Sequence, residues 1–400
     1  MANSLTALSP TYWSRNIAAK LYKRTQFRNL ASFAEQASLK NGEYVDRPYR
    51  ANVVVENYTK GTALTAQDIS ATSDKLQVNV FKAALVYVDN IDKIQNSYSA
   101  ANAYIDEISK RLAISIDGRF FYEVVNAADT IDDGDLGGTA SRGFTLTVDN
   151  IDNMFAKTKR KLDVNNVDQE GRFFALSPQM YDVLWQRVGG KQSMLGDKTS
   201  ESGNVGEYAG FKLYMTNNLT GSARWTPGDA LTPDASDTIT INGVVFTWQT
   251  TIGSTAGNVL AVTDMPTSID NIVAFINDPG TTSANQVALS TANQRTVQDW
   301  VAVDGTTYFE VRVKGGSYLT VSSSDVADVW TDNVQLQRAL AGAKGSIDVV
   351  IQKEPSVEMD STVSAGKSGV NILPMTVFGV KTFNKGTSEI LDIWVRSDAY

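Results

Sequence analysis

The sequence predicts an α+β fold assembled from several modules, and three observations carry that prediction. From Asn41 to Asn90 apolar residues alternate with polar ones, the period of a half-buried strand. From about Ser97 to Ala128 they recur every three or four residues, the period of a helix, in the longest such run of the chain. After Leu219 the composition shifts towards Gly, Pro, Ser and Asp, and a new set of strand and turn signals begins. A chain of 400 residues, 42% of them hydrophobic, can bury a large core and suggests two or three domains rather than one.

Residues 1–40 read as an N-terminal arm, in which Ile17, Leu21, Phe27, Leu30 and Phe33 are interleaved with basic residues. Residues 41–95 read as an extended β-hairpin loop. Val53 and Val55 alternate with Asn52, Val54 and Glu56, and Leu76, Val78 and Val80 with Gln77 and Asn79, while a polar stretch from Asn57 to Asp74 separates the two runs. Ten-residue arms at about 3.3 Å per residue would project about 30 Å. So thin an element has little core of its own and needs a neighbour to cover it.

Residues 96–146 carry the long helix, whose apolar face is Ala101, Ile105, Ile108, Leu112, Ile116, Phe120 and Val124. Roughly 30 residues at 1.5 Å each span about 45 Å, enough for a spine. Residues 147–221 open with a second helix, about Val148 to Leu162, with Asp149 and Asp152 at its start and Lys157, Lys159, Arg160 and Lys161 at its end, as the helix dipole favours. The tract from Arg172 to Leu219 then reads as buried strand, helix, glycine-rich loop and second strand opened by Gly210. Ser177 can cap that helix and Pro178 begins it, Tyr181, Leu184, Trp185 and Val188 recur at helical spacing, and Gly189 and Gly190 stop it.

Residues 222–330 read as an inserted β-rich α+β module, entered through a linker from Thr220 to Asp237. Ile239 and Ile241, the turn Asn242-Gly243, then Val244, Phe246 and Trp248 form a strong hairpin signal. Ile269, Ile272, Val273 and Ile276 mark a short helix, and further strands lie between Tyr308 and Leu319. Residues 331–400 return to the earlier style. Ile347, Val349 and Ile351 alternate until Pro355 breaks the run, and Leu391, Ile393 and Val395 share one face of a last strand.

Composition narrows the chemistry. There is no cysteine and no histidine, which removes disulfides, thiolate nucleophiles, the usual zinc ligands and the commonest general base. Enzymatic activity is not expected, nor is any cofactor or metal. No signal-peptide core and no run of roughly 20 apolar residues is present, so no membrane association is expected and folding should be cytoplasmic. The net charge of −8 is unevenly placed, because residues 222–330 hold eleven acids against four bases and residues 1–40 are basic.

The order of these modules, together with "LSPQMYDVLW" and "GNVGEYAGFKLYMTNNL", resembles the major capsid proteins of tailed bacteriophages, which share their fold with herpesvirus capsids. The resemblance covers roughly residues 1–221 and 331–400. It implies an N-terminal arm, an extended loop, a peripheral domain (96–146) with its spine helix, an axial domain (147–221) and a C-terminal return to both (331–400), with 222–330 as an inserted surface domain. It also implies a virion protein that self-assembles through hexamers and pentamers into an icosahedral shell around double-stranded DNA. A portal and a decoration protein are further partners it implies, and a separate scaffolding protein is expected because no large leading segment precedes the arm.

Within that reading Arg15, Lys20, Lys23, Arg24 and Arg28 are the candidates to face DNA, offsetting phosphate charge without reading sequence. Five cations are a weak patch, and solvation or pairing across subunits is the simpler alternative. Asp129, Asp132, Asp133 and Asp135 form an acidic cluster, but their spacing fails the EF-hand pattern and a solvated turn explains them better. "GGKQS" at Gly189 lacks the first glycine and the Ser or Thr of a phosphate loop. Its glycines suit an axial loop that adapts to rings of different size. The acidic insertion suits an outward module that adds contacts or covers the shell. An encapsulin-like nanocompartment shell and a surface adhesin or binding module are the alternatives to a phage head.

Overall fold

The computed structural model describes residues 25–49, 53, 55–61, 67, 72–89, 100–190, 205–228, 233–315, 319–360, 363–364 and 367–396. The fold is α+β, as the segregated periodicities predict. A ten-stranded mixed sheet runs through the molecule, its main path ordered Trp300–Asp304, Phe309–Val313, Thr220–Thr226, Val329–Ala343, Arg172–Leu176, Phe211–Met215 and Glu207–Tyr208. The 15-residue strand Val329–Ala343 is its axis. Thr220–Thr226 and Arg172–Leu176 follow each other along one of its edges, and Ile390–Arg396 takes the other. Ile390–Arg396 in turn holds Asp129–Ile131 and Phe144–Thr145 in parallel.

Two large apolar cores flank this axis. The main one gathers Ile116, Phe120 and Phe121 of the spine helix, Phe155, Phe174 and Phe211 around one another, and Ala339 to Ala341 of the shared strand. The second gathers Trp225, Ile239, Ile241, Phe246, Trp248, Ile269, Ile272, Phe275, Phe309 and Trp330. The predicted hairpin forms there from Thr238–Ile241 and Val244–Gln249, with Asn242 and Gly243 both at positive φ as a two-residue turn requires. Its alternating apolar residues are buried and the helix Met265–Asn277 covers them.

The spine helix spans Ala100–Tyr122 and tightens into the 3₁₀ turn Glu123–Asn126. Ile108, Leu112, Ile116, Phe120 and Val124 are buried as their spacing predicts. The next helix, Ile151–Val164, buries Ile151, Met154, Phe155 and Leu162. In the tract that follows, Arg172–Leu176 and Phe211–Met215 pair in parallel across the helix Pro178–Gly189, and Ser177 Oγ accepts from the Met180 N–H at 3.2 Å. Trp185 departs from expectation. It is 38% exposed, and the buried face is Met180, Val183, Leu184 and Val188. Tyr181 and Trp185 lie one turn apart, so a face drawn through them is displaced from the one that packs.

Three other expectations are corrected. The first arm of the extended hairpin is Tyr44–Tyr49, which pairs with Thr72–Gln77, whereas Val53 and Val55 lie in no strand and are exposed. The inward positions of Tyr44–Tyr49 are Val45, Arg47 and Tyr49, too amphipathic to show as alternation. The expected linker begins instead as the buried strand Thr220–Thr226, whose small residues allow close packing inside the sheet. Pro355 does not end the strand Ile347–Asp360. Its pairing with Lys367–Thr382 slips register between Lys353 and Ser356, and a proline fits at such an irregularity because no ladder N–H is required of it. Of the arm, the part from Thr25 onward packs on its own chain, with Phe27 and Leu30 of the short helix Phe27–Leu30 in the main core.

Candidate functional site

Arg15, Lys20, Lys23 and Arg24 lie outside the described residues. Arg28 is exposed and makes a forked ion pair with Glu354, Nη2 donating to both carboxylate oxygens at 2.9 Å. A solvated pair of this kind is worth no more than about 1 kcal/mol, but it leaves Arg28 with its charge already answered. The aspartates after the spine helix serve the turn itself. Asp132 accepts from the Asp135 and Ser141 N–H groups, Asp133 from that of Thr139, and Asp135 pairs with Lys161 at 2.7 Å. Asp129 accepts from Asn165. Among the described residues no group of acidic side chains is placed to hold a metal ion. Gly189 ends the helix and Gly190 caps it, while residues 191–193 of "GGKQS" lie outside the description.

Three arrangements that no sequence pattern announces tie the chain together or leave apolar surface bare. The first is Asp117, buried on the spine helix. Its Oδ1 accepts from the Gln26 and Phe27 N–H groups at 2.7 and 2.8 Å, and its Oδ2 from the Asn218 amide at 2.6 Å. One carboxylate thereby ties the arm to the spine and to the entrance of Thr220–Thr226. Glu123, in the 3₁₀ turn that closes the same end of the helix, accepts from the N–H and hydroxyl of Thr382.

The second is a buried charge cluster where the two cores meet. Arg338, on the shared strand, donates to Glu310 on Phe309–Val313, to Asp392 on Ile390–Arg396 at 2.8 Å, and to Ser222 Oγ at 3.3 Å. Arg312 adds a second guanidinium to Glu310 at 2.9 Å. Burial alone would push the Glu310 carboxyl up, but Arg338 and Arg312 outweigh it and hold it down at about 2. Asp392 is fully enclosed, and there burial wins over Arg338 and raises its carboxyl above the usual range. One guanidinium therefore serves two unequal carboxyls, with Glu310 the firmly ionised one. The sequence signal was a charge inside an otherwise apolar run, in "LQRALA" and "ILDIWV".

The third is apolar surface left uncovered by the chain. Val80–Ala83 and Val86–Asp89 pair with Lys367–Thr382, placing Phe81 opposite Val377 and Tyr87 opposite Asn371. Phe81, Tyr87 and Leu373 share that face and are exposed, Phe81 by 67%. On the extended loop Tyr44, Val53, Val55 and Tyr58 are exposed as well, Val55 by 93%. The root of that loop has only a small core of Leu39, Leu76, Val78, Val350 and Phe383, with the Arg47 guanidinium over the Phe383 ring at 4.0 Å.

No family model matches the sequence, and no curated protein matches it. Solved structures do match its fold. A chain from Mycobacterium phage Che8 aligns with a TM-score of 0.58 at 15% identity, covering 96% of each chain. The capsid structure of the cyanophage P-SCSP1u aligns with a TM-score of 0.54 at 13% identity over 99% of this chain and 95% of that one. The capsid of a native GTA particle gives 0.51 at 10% identity over 99% of both. At such identities what is shared is the path of the backbone, and it is shared from end to end. The chain has the fold of phage capsid proteins.

Proposed function

We propose that this chain is the major shell protein of a tailed-phage head, a structural subunit that assembles with itself into an icosahedral capsid enclosing double-stranded DNA. The observation that carries the reading is the fold likeness to capsid chains over nearly the full length of both partners, which leaves no large part of either molecule for another task. The bare apolar residues of the extended loop and of the Phe81 face support it, since such surface finds burial on sister copies. In this reading residues 1–40 are the arm, 41–95 the extended loop, 96–146 the peripheral domain, 147–221 the axial domain, 222–330 an inserted surface domain and 331–400 the return. Hexamers and pentamers close around the axial domain as heterologous rings. Scaffolding, portal and decoration proteins are the partners such a shell would take, the virion is its location, and Arg15, Lys20, Lys23 and Arg24 are the cations that would lie towards the DNA.

Electron microscopy of the purified protein tests this directly. Closed polyhedral particles are the expected result, and a solution that holds only monomers at high concentration would falsify the proposal.

A further inference from the structure

A cavity of about 790 Å³ opens between the spine helix, the strand Val80–Ala83 and two stretches of the inserted segment, Gln298–Asp299 and Lys314–Gly315. Its floor is apolar, formed by the buried Ile108, Leu112 and Phe378. Its walls carry Lys82, Arg111, Arg119 and Lys314 against the single carboxylate of Asp299.

Two of those cations are already neutralised. Lys82 Nζ donates to Asp299 at 2.7 Å, and Arg111 pairs with Glu107 one turn away at 2.9 Å. Lys314 is not, and Arg119 is met only at long range. Its Nη2 lies 3.8 Å from Glu123 Oε1, a stretched ion pair, while Glu123 Oε2 accepts from Thr382 and Asn126. Arg119 Nε is buried and meets no acceptor among the described residues. The Lys314 ammonium likewise makes no hydrogen bond or ion pair among them. Both lie instead over the ring of Tyr122, the Arg119 guanidinium carbon 5.2 Å and Lys314 Nζ 5.3 Å from its centroid.

An aromatic face attracts a cation by roughly 0.5–2 kcal/mol but removes none of its charge. Two like charges gathered on one ring are at most about 10 Å apart and repel by more than about 1 kcal/mol at an effective dielectric of about 20. Burial lowers the Lys314 amine below its usual range, and Arg119 and Lys82 lower it further against a partial offset from Asp299 and Glu123. Elsewhere this fold meets a buried cation with a carboxylate, as at Arg338 and Arg312. Here the charges border an open space, with Glu123 no closer than 3.8 Å to Arg119 and no ion pair to Lys314 among the described residues.

We propose that this cavity is an oxyanion site, which takes a phosphate group between Arg119 and Lys314. The planar fork of an arginine matches phosphate geometry, and the lysine adds a mobile point charge. The volume suits a small-molecule site and exceeds the needs of a single phosphate, so the group can belong to free phosphate or to a nucleic-acid backbone. A bound phosphate would join the spine helix to the inserted segment, beside the point where Gly118 already touches Gly315.

The test is isothermal titration of the full-length chain with sodium phosphate, and separately with a short duplex oligonucleotide, at constant ionic strength in chloride. Lys314→Gln and Arg119→Gln are measured alongside, with Arg295→Gln, an exposed arginine outside the cavity, as control. Phosphate binding that weakens at least tenfold in both cavity variants and not in the control supports the site with free phosphate as its source. The same pattern for the oligonucleotide alone supports it with a polymer as the source. No binding of either ligand, or binding that the cavity variants leave unchanged, overturns it. Thermal melting separates a merely structural role. In phosphate-free buffer removal of one crowded cation should leave the midpoint level or raise it, and added phosphate should then raise the midpoint of the unaltered chain alone. A midpoint that falls in both variants without phosphate, with ligand affinity intact, also overturns the proposal.

Discussion

Arg338 occupies a position where size is easily copied and charge is not. Replacing it by Met fills much of its volume but leaves the buried Asp392 with the Trp394 N–H and no cation, and Glu310 with Arg312 as its one ion pair among the described residues. Breaking a buried pair from one side costs about 3–5 kcal/mol, so Arg338→Met should lower the denaturant midpoint sharply. The acid dependence follows from Glu310, whose carboxyl is held at about 2 against an ordinary 4.5. A depressed carboxyl contributes stability that is complete above pH 4.5 and is lost as pH falls towards 2, amounting to about 3 kcal/mol. Asp392, raised from 3.8, has the opposite slope at higher pH. Melting curves between pH 2 and 5 should therefore fall more gently for Glu310→Gln than for the unaltered chain.

Gly118 makes a second prediction at this scale. In an open helix Gly→Ala stabilises by up to about 1 kcal/mol. At Gly118 a Cβ would run into the Gly315 backbone, with its nitrogen only 2.8 Å away, and Gly315 itself sits at φ +102°. Overpacking of backbone against backbone costs about 1–3 kcal/mol, so Gly118→Ala should destabilise in a chemical melt where propensity alone predicts a gain. Neither position announces itself in sequence. A charge within an apolar strand marks Arg338 and Asp392 as unusual, yet only the pairing of distant strands reveals that they answer each other.

At the scale of elements, legibility followed the strength of local signals. The Asn242-Gly243 hairpin, the spine helix and the helix capped by Ser177 were readable because turn chemistry, spacing and capping agree within a short window. Thr220–Thr226 was not, since Thr-Gly-Ser-Ala at the start of this buried strand has the composition of a linker and hides the Arg224-Trp225 that follows. The extended hairpin was placed too late in the chain, because Val53 and Val55 look like strand and are simply exposed. That error sharpens a prediction. If those valines meet sister copies, Val53→Asp with Val55→Asp should leave the melting midpoint within about 0.5 kcal/mol of the original. Sedimentation should nonetheless show the double variant failing to form shells, and particles of normal size would remove these valines from the assembly surface.

For the whole molecule, module order was more informative than any motif. The likeness in fold extends over chains that share 15% of their residues or fewer, so what persists is the sequence of strand, helix and turn rather than particular side chains. The candidate site was less legible than the fold. The phosphate cavity draws Lys82, Arg111, Arg119, Asp299 and Lys314 from four separated stretches, and no window along the chain contains them together.

The strand Val329–Ala343 belongs to both cores, giving Trp330 to one and Ala339 to Ala341 to the other. Neither half can melt first without baring a row of backbone N–H and C=O groups on the half that remains. Heat or mechanical load applied at the second core is thus transmitted along one covalent ribbon into the main core, and the two move as one rigid piece rather than one as a pendant on a tether.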